Sequence, residues 1–198
     1  MKTILRPRLA ESALKQRGVS LIEVLVAMLI VSLGVLSVSG LLASASRYGK
    51  TSEYRAVATL LVSDVVDRIR ANKAALDPGA PTPGVVTAYN VTAAYDTWAD
   101  EPAGPVACAN VDACTAAEIV AQDKAEWSLA VFRGLPGGAG YVQLSADPKA
   151  IPTADVWVAW LDPAASGNEA SAAAEKECPP GFQELTPQPR CAYFRVGL

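Results

Sequence analysis

Histidine is absent from the chain, and with it the side chain most often used as a general base near neutral pH and as a metal ligand. The four cysteines, Cys108, Cys114, Cys178 and Cys191, show no C-x-x-C spacing, so a zinc or thioredoxin-like site is excluded too. No phosphate-cradling glycine loop is present, because LPGGAGY lies between strand-like runs and has no helix after it. Asp96, Asp100 and Glu101 lie close in sequence, but this spacing does not supply the roughly 6–8 oxygen ligands of a calcium ion. No catalytic residue, cofactor or metal is therefore expected, and the chain reads as non-enzymatic. Basic charge is scarce in the body: the first 18 residues hold Lys2, Arg6, Arg8, Lys15 and Arg17 against Glu11, a net +4 that leaves −7 of the total −3 for everything after Gly18. Such a body offers no basic stripe, and no nucleic-acid partner is predicted.

What is present in quantity is apolar sequence, concentrated at the start. Behind Gly18 and Val19 stands one carboxylate, Glu23, and then residues 24–45 pass without a charge. That length suffices for a membrane-crossing helix, and a carboxylate inside such a helix is costly enough to imply a purpose. A cleaved secretory signal has support from Ala43-Ser44-Ala45, but its apolar core would exceed the usual run of about 7–15 residues. A plain single-span anchor, its basic end in the cytoplasm by the positive-inside rule, accounts for everything except the hexapeptide GVSLIE.

That hexapeptide resembles the prepilin signal of the type IV pilin and pseudopilin family: a basic leader ending in glycine, a hydrophobic first residue, a short step to glutamate and a long apolar helix. The resemblance implies cleavage by a prepilin peptidase between Gly18 and Val19, with N-methylation of Val19. It also implies that Glu23 of one subunit pairs with the α-amine of another during assembly. One helical turn separates Val19 from Glu23, so the new amine and the carboxylate lie at nearly one depth. Both buried in an apolar fibre, they persist only as a pair, and a wrong axial register leaves them unpaired. A glutamate held at the lipid headgroups is the plainer alternative. Val19 in place of the family's frequent phenylalanine, and the 18-residue leader, fit the more variable minor pilins.

Beyond the stem, Tyr54, Val57, Ala58, Leu61, Val62, Val65 and Ile69 recur at helical spacing, with Glu53, Ser63, Asp67 and Arg70 opposite them. Asp64 and Arg68 form a favourable i,i+4 pair. One helix is predicted from about residue 20 to the breaker Asp77-Pro78-Gly79, ending near Leu76. The expected divisions are a leader over 1–18, a transmembrane and fibre-core helix over 19–46, and a head over 47–198. The head comprises an amphipathic helix over 47–76, an αβ-loop over 77–126 and a sheet over 127–198. A short strand is read over 85–91, and Thr115-Ala116-Ala117-Glu118 is a capping box that opens a short helix to about Glu126. Four strand-like runs follow, over 127–133, 141–146, 156–161 and 191–196, the first two joined by LPGGAG as a hairpin. An exposed loop or frayed helix is expected over 164–177, and Trp127, Trp157 and Trp160 are read as aromatics of the sheet.

Three disulfide connectivities are possible. The local one, Cys108–Cys114 and Cys178–Cys191, is preferred because each pair closes a short loop, and it requires an oxidising compartment. Four reduced, buried thiols are the alternative. Composition alone supports only an α+β class; the pilin resemblance implies a long N-terminal helix packed on a small antiparallel sheet with a disulfide-closed C-terminal loop. The run C-x5-C, a short helix with Asp123, and EWSLAVFRGLPGG resembles the minor pilins called type IV pilus modification proteins. The expectation is a structural protein of the bacterial inner membrane, N-terminus cytoplasmic and head periplasmic, extracellular once assembled. Implied partners are the prepilin peptidase, other minor pilins, the major pilin and the assembly platform. A type II secretion pseudopilin, and a membrane-anchored binding or adhesion domain, are the alternatives.

Overall fold

The structure, a computed structural model, describes residues 18–72, 88–91, 101–104, 108, 114–145, 152–162, 177–182 and 187–198. It divides into a unit over Met1–Ser44 and a unit over Ala45–Leu198. The elements in chain order are α1 (Leu21–Ala71), α2 (Ala116–Gly134), β1 (Ala139–Leu144), β2 (Thr153–Trp160) and β3 (Arg190–Gly197). The fold is α+β and pilin-like: a long N-terminal apolar helix, a small antiparallel sheet and a C-terminal disulfide, Cys178–Cys191, with Cα atoms 5.1 Å apart.

In the second unit the sheet order is β1-β2-β3, antiparallel throughout, with Val142 opposite Val156 and Val156 opposite Phe194. Period-two alternation puts Val142, Leu144, Ala154, Val156, Val158 and Trp160 on one face. These join one core with Ala58, Val62, Val65, Val66 and Ile69 of α1 and Val120, Trp127 and Val131 of α2. The helical face read from sequence is thus the buried one, with Val66 added to it. The other sheet face carries Tyr141, Trp157 and Tyr193 side by side across the three strands. Tyr141 meets Trp157 edge-on at 5.3 Å between ring centroids, and Trp157 meets Tyr193 at 4.7 Å. A second cluster of Ala139, Ala159, Cys178, Phe182 and Cys191 lies on this face, where the disulfide ties residue 178 to the start of β3.

Two expectations need correction. Residues 127–133 are helical, not a strand: α2 runs on from the predicted capping box to Gly134, and the sheet begins only at Ala139. The box forms as the spacing predicts, Thr115 Oγ1 accepting from the Glu118 amide and Glu118 accepting from the Thr115 amide at 2.8 Å. Once a helix is capped, each further residue adds a hydrogen bond without a new nucleation cost. The β propensity of Trp127, Val131 and Phe132 is outweighed because Trp127 and Val131, at i and i+4, both reach full burial on a helix. LPGGAG is accordingly the turn from α2 into β1 and not a hairpin. Gly137 takes φ +59° there, and a Cβ on Gly138 would sit 2.0 Å from the Val131 carbonyl oxygen.

The second correction concerns the end of α1, which stops at Ala71 and not near Leu76. Asn72 follows it, its backbone amide still donating to the Arg68 carbonyl (3.2 Å) and its side-chain amide to the Ala116 carbonyl (3.1 Å) and the Tyr89 hydroxyl (3.3 Å). Of the short strand expected over 85–91, Val91 makes an isolated bridge to Val142, Ala88 and Tyr89 form a turn, and 85–87 lie outside the described residues. The loop or frayed helix expected over 164–177 also lies outside them, apart from Glu177.

Candidate functional site

The chemistry singled out by the sequence lies in the first unit. Gly18, Val19 and Ser20 precede the helix, and the Ser20 carbonyl accepts from the amides of Glu23 (3.0 Å) and Val24 (3.3 Å). Glu23 is the acid of the first turn of α1, where the helix dipole favours a negative charge. Val19 and Glu23 line one shallow groove with Val24, Ala27, Met28 and Val31, so the structure brings the two predicted residues onto one face of the stem. No partner for the Glu23 carboxylate occurs among the described residues. A Cβ on Gly18 would meet nothing within 4 Å, so packing among the described residues does not demand glycine there.

Every residue over 21–44 is exposed, Leu21 at 78% and Leu41 at 71% among them. By length and composition α1 can cross a membrane. Its polar atoms suit that solvent. Ser32, Ser37 and Ser39 donate to the carbonyls of Leu29, Leu33 and Val35 at 2.8–2.9 Å, so these three hydroxyls are not stranded in lipid. Gly34 and Gly40, like Gly18, have open space where a side chain would stand.

The second unit holds the four cysteines. Cys108 is joined to Cys114, Cα atoms 6.1 Å apart, and Cys178 to Cys191. It also holds a polar cluster that the sequence disclosed only in part. The Asp64–Arg68 pair forms at 3.0 Å, but Arg68 also donates through Nη1 to Glu126 (2.6 Å) and Asp123 (3.2 Å) of α2. Tyr89 donates to the other oxygen of Asp123 at 2.6 Å. One guanidinium thus joins three carboxylates and ties α1 to α2. Burial works against the Arg68 cation, but hydrogen bonds to Glu126, Asp64 and Asp123 outweigh it and raise its pKa. Burial, then donation to Asp123, raises that of Tyr89. On the outer sheet face Asp155 accepts from Arg195 (2.7 and 2.9 Å) and from the Tyr193 hydroxyl, and the Arg195 bonds hold its carboxyl below the ordinary range.

These groups brace the head. The Arg68 bond, then Gln122, lowers the pKa of Glu126. A carboxylate lowered in the folded state contributes stability that is fully present above its unfolded value, about 4.3, and is lost as pH falls through the folded value. The thermal midpoint should therefore drop between roughly pH 5 and pH 3. Glu126→Gln should flatten that part of the profile; an unchanged slope would remove Glu126 from the account. Among the described residues no group of three or more metal-ligating side chains occurs.

Residues 14–39 match the prokaryotic N-terminal methylation motif. Neither the curated proteins nor the solved structures give a match to this chain. The motif supports the type IV pilin-like family and indicates a pilin- or pseudopilin-like precursor. It implies processing by a prepilin peptidase and assembly with other pilins, points to a structural protein, and with the apolar helix fits a single-pass membrane-anchored chain.

Proposed function

We propose that the chain is a minor type IV pilin, cleaved between Gly18 and Val19, methylated at Val19 and incorporated into the pilus, where it primes or modifies assembly. The observation that carries this reading is a stem whose apolar surface is wholly uncovered and whose one carboxylate shares a face with the residue that becomes the N-terminus. Such a surface suits two solvents in turn, first lipid and then the apolar core of a fibre. In the second, Glu23 needs a cation, and the α-amine freed at Val19 supplies one. Among the described residues nothing packs against Gly18, which leaves it open to a peptidase in this reading.

The leader is cytoplasmic and the head periplasmic in this account. Basic residues before the span and disulfides after it both support that orientation. Other minor pilins, the major pilin and the assembly platform are the partners, and the likeness of EWSLAVFRGLPGG to type IV pilus modification proteins favours a pilus over a secretion system.

Mass spectrometry of the membrane-extracted protein should find N-methylated Val19 as its first residue. A start at Met1 or at Ser46 would overturn the assignment. Glu23→Ala should insert into the membrane normally yet co-purify with sheared pili at a small fraction of the native amount. Equal incorporation would leave cleavage intact and remove the pairing role.

A further inference from the structure

The two edges of the sheet are treated differently. On β1 three outward groups are taken: Val142 and Val91 exchange both amide–carbonyl bonds (3.1 and 2.9 Å), and the Leu144 amide donates to Asn90 Oδ1. On β3, Leu198 donates to the Pro152 carbonyl across the ladder, and Gly197 pairs with Thr153. The even-numbered residues of β3 therefore bond to β2, and the amides and carbonyls of Cys191, Tyr193, Arg195 and Gly197 point away from it. Arg70 fills the Gly197 carbonyl at 2.6 Å. Among the described residues nothing meets the outward groups of Tyr193 and Arg195.

An open edge is usually guarded by charge, but the arginines of β3 are engaged elsewhere. Arg195 is held by Asp155 on the sheet face, and Arg190 makes two bonds of 3.0 Å to Glu177. Beside this edge lies a cleft of about 610 Å³, formed by the chain at 192–194 together with Trp157, Pro179, Pro180, Glu177 and Arg55. The Arg55 guanidinium makes no hydrogen bond among the described residues. Its nearest carboxylate, Glu177, is 3.9 Å away and already satisfied by Arg190. A guanidinium with donors in hand therefore stands at one end of an open backbone edge.

We propose that the outer edge of β3 is a docking slot for a short extended segment of another protein chain that bears a carboxylate. The segment adds a fourth strand through the backbone of Tyr193 and Arg195, and its carboxylate takes Arg55. Backbone pairing needs an extended peptide and Arg55 selects its charge, so the slot fits an acidic strand better than a sugar. The inference concerns the head alone and stands whether or not the chain enters a fibre.

The test uses the full chain in detergent micelles, with amide exchange read by NMR. In the free protein, the amides of Tyr193 and Arg195 should exchange at least about 100-fold faster than those of Ala192 and Phe194. Protection of all four would overturn the proposal, because the edge would then be covered. The probe is the peptide Thr-Val-Glu-Val-Thr at millimolar concentration, which should slow exchange at Tyr193 and Arg195. Arg55→Ala should weaken it roughly tenfold, and so should lysine in place of the peptide's glutamate. Methylating the peptide nitrogens that face β3 should abolish binding. Arg195→Pro deletes an outward amide and should also abolish it, whereas Arg195→Ala, which loses the same ion pair, should not. No change at millimolar peptide, or indifference to the peptide's charge, would overturn the proposal. So would a uronate oligosaccharide that binds at Arg55 and leaves the edge amides unchanged.

Discussion

Trp127→Ala is expected to cost the head about 3–5 kcal/mol, the range for deleting a fully buried aromatic ring. Trp127 has no exposed surface, and its Nε1 donates to the Leu61 carbonyl of α1 at 2.8 Å. Its ring also fills the space above Gly140, where a Cβ would come within 2.4 Å of Cη2. Alanine would therefore leave a cavity at the point where α1, α2 and β1 meet. For a head of this size the midpoint should fall by on the order of 10 °C. Trp127→Phe separates the two contributions. It keeps most of the ring volume and loses the hydrogen bond, so its cost should be nearer 1–2 kcal/mol, about one bond plus a small void. Urea unfolding of both variants measures the difference. A loss below about 1 kcal/mol for alanine would show that α2 does not pack through this ring.

Gly138→Ala is expected to be as damaging, by the opposite mechanism. A methyl group at 138 would lie 2.0 Å from the Val131 carbonyl oxygen and 2.8 Å from its carbon, with the Leu135 oxygen at 3.0 Å. All three contacts are backbone, so no side chain can rotate away. The Val131 carbonyl is itself engaged by the Leu135 amide at 3.2 Å, and the Leu135 carbonyl by Gly138 at 3.0 Å. Relief therefore means opening the end of α2. The cost should reach or exceed the upper end of the overpacking range, about 3 kcal/mol, and β1 should lose amide protection before β2 and β3. At Gly49, on an exposed part of α1 with open space around it, alanine should instead stabilise by roughly 0.5–1 kcal/mol. Equal and small effects at the two positions would overturn the geometry of the turn.

How much was legible in advance differs by element. The face of α1 that packs on the sheet could be read because Ala58, Leu61, Val62, Val65 and Ile69 recur at helical spacing, a local signal. The Thr115–Glu118 cap is also local, and so are the strands around Val142, Val156 and Ala192. Residues 127–133 misled because their strand propensity is local while their helical state is decided by burial against α1. Arg68 shows the same limit: its bond to Asp64 spans one turn, whereas those to Asp123 and Glu126 cross 55 and 58 residues. Arg55 carried no signal at all, because an arginine on a helix exterior looks solvated until the strand beside it is known.

The sequence by itself determined the stem: an uncharged helix long enough for lipid, with Glu23 one turn from Val19 behind a glycine. These properties follow from order along a single chain and hold for any arrangement of the rest. Only the tertiary structure decided that α2 extends to Gly134, that Arg68 joins two helices, and that one sheet edge is paired at Val142 while the other, among the described residues, is open at Tyr193 and Arg195. Those outcomes depend on which distant residues share a core and which backbone groups find a partner, and no local spacing specifies either.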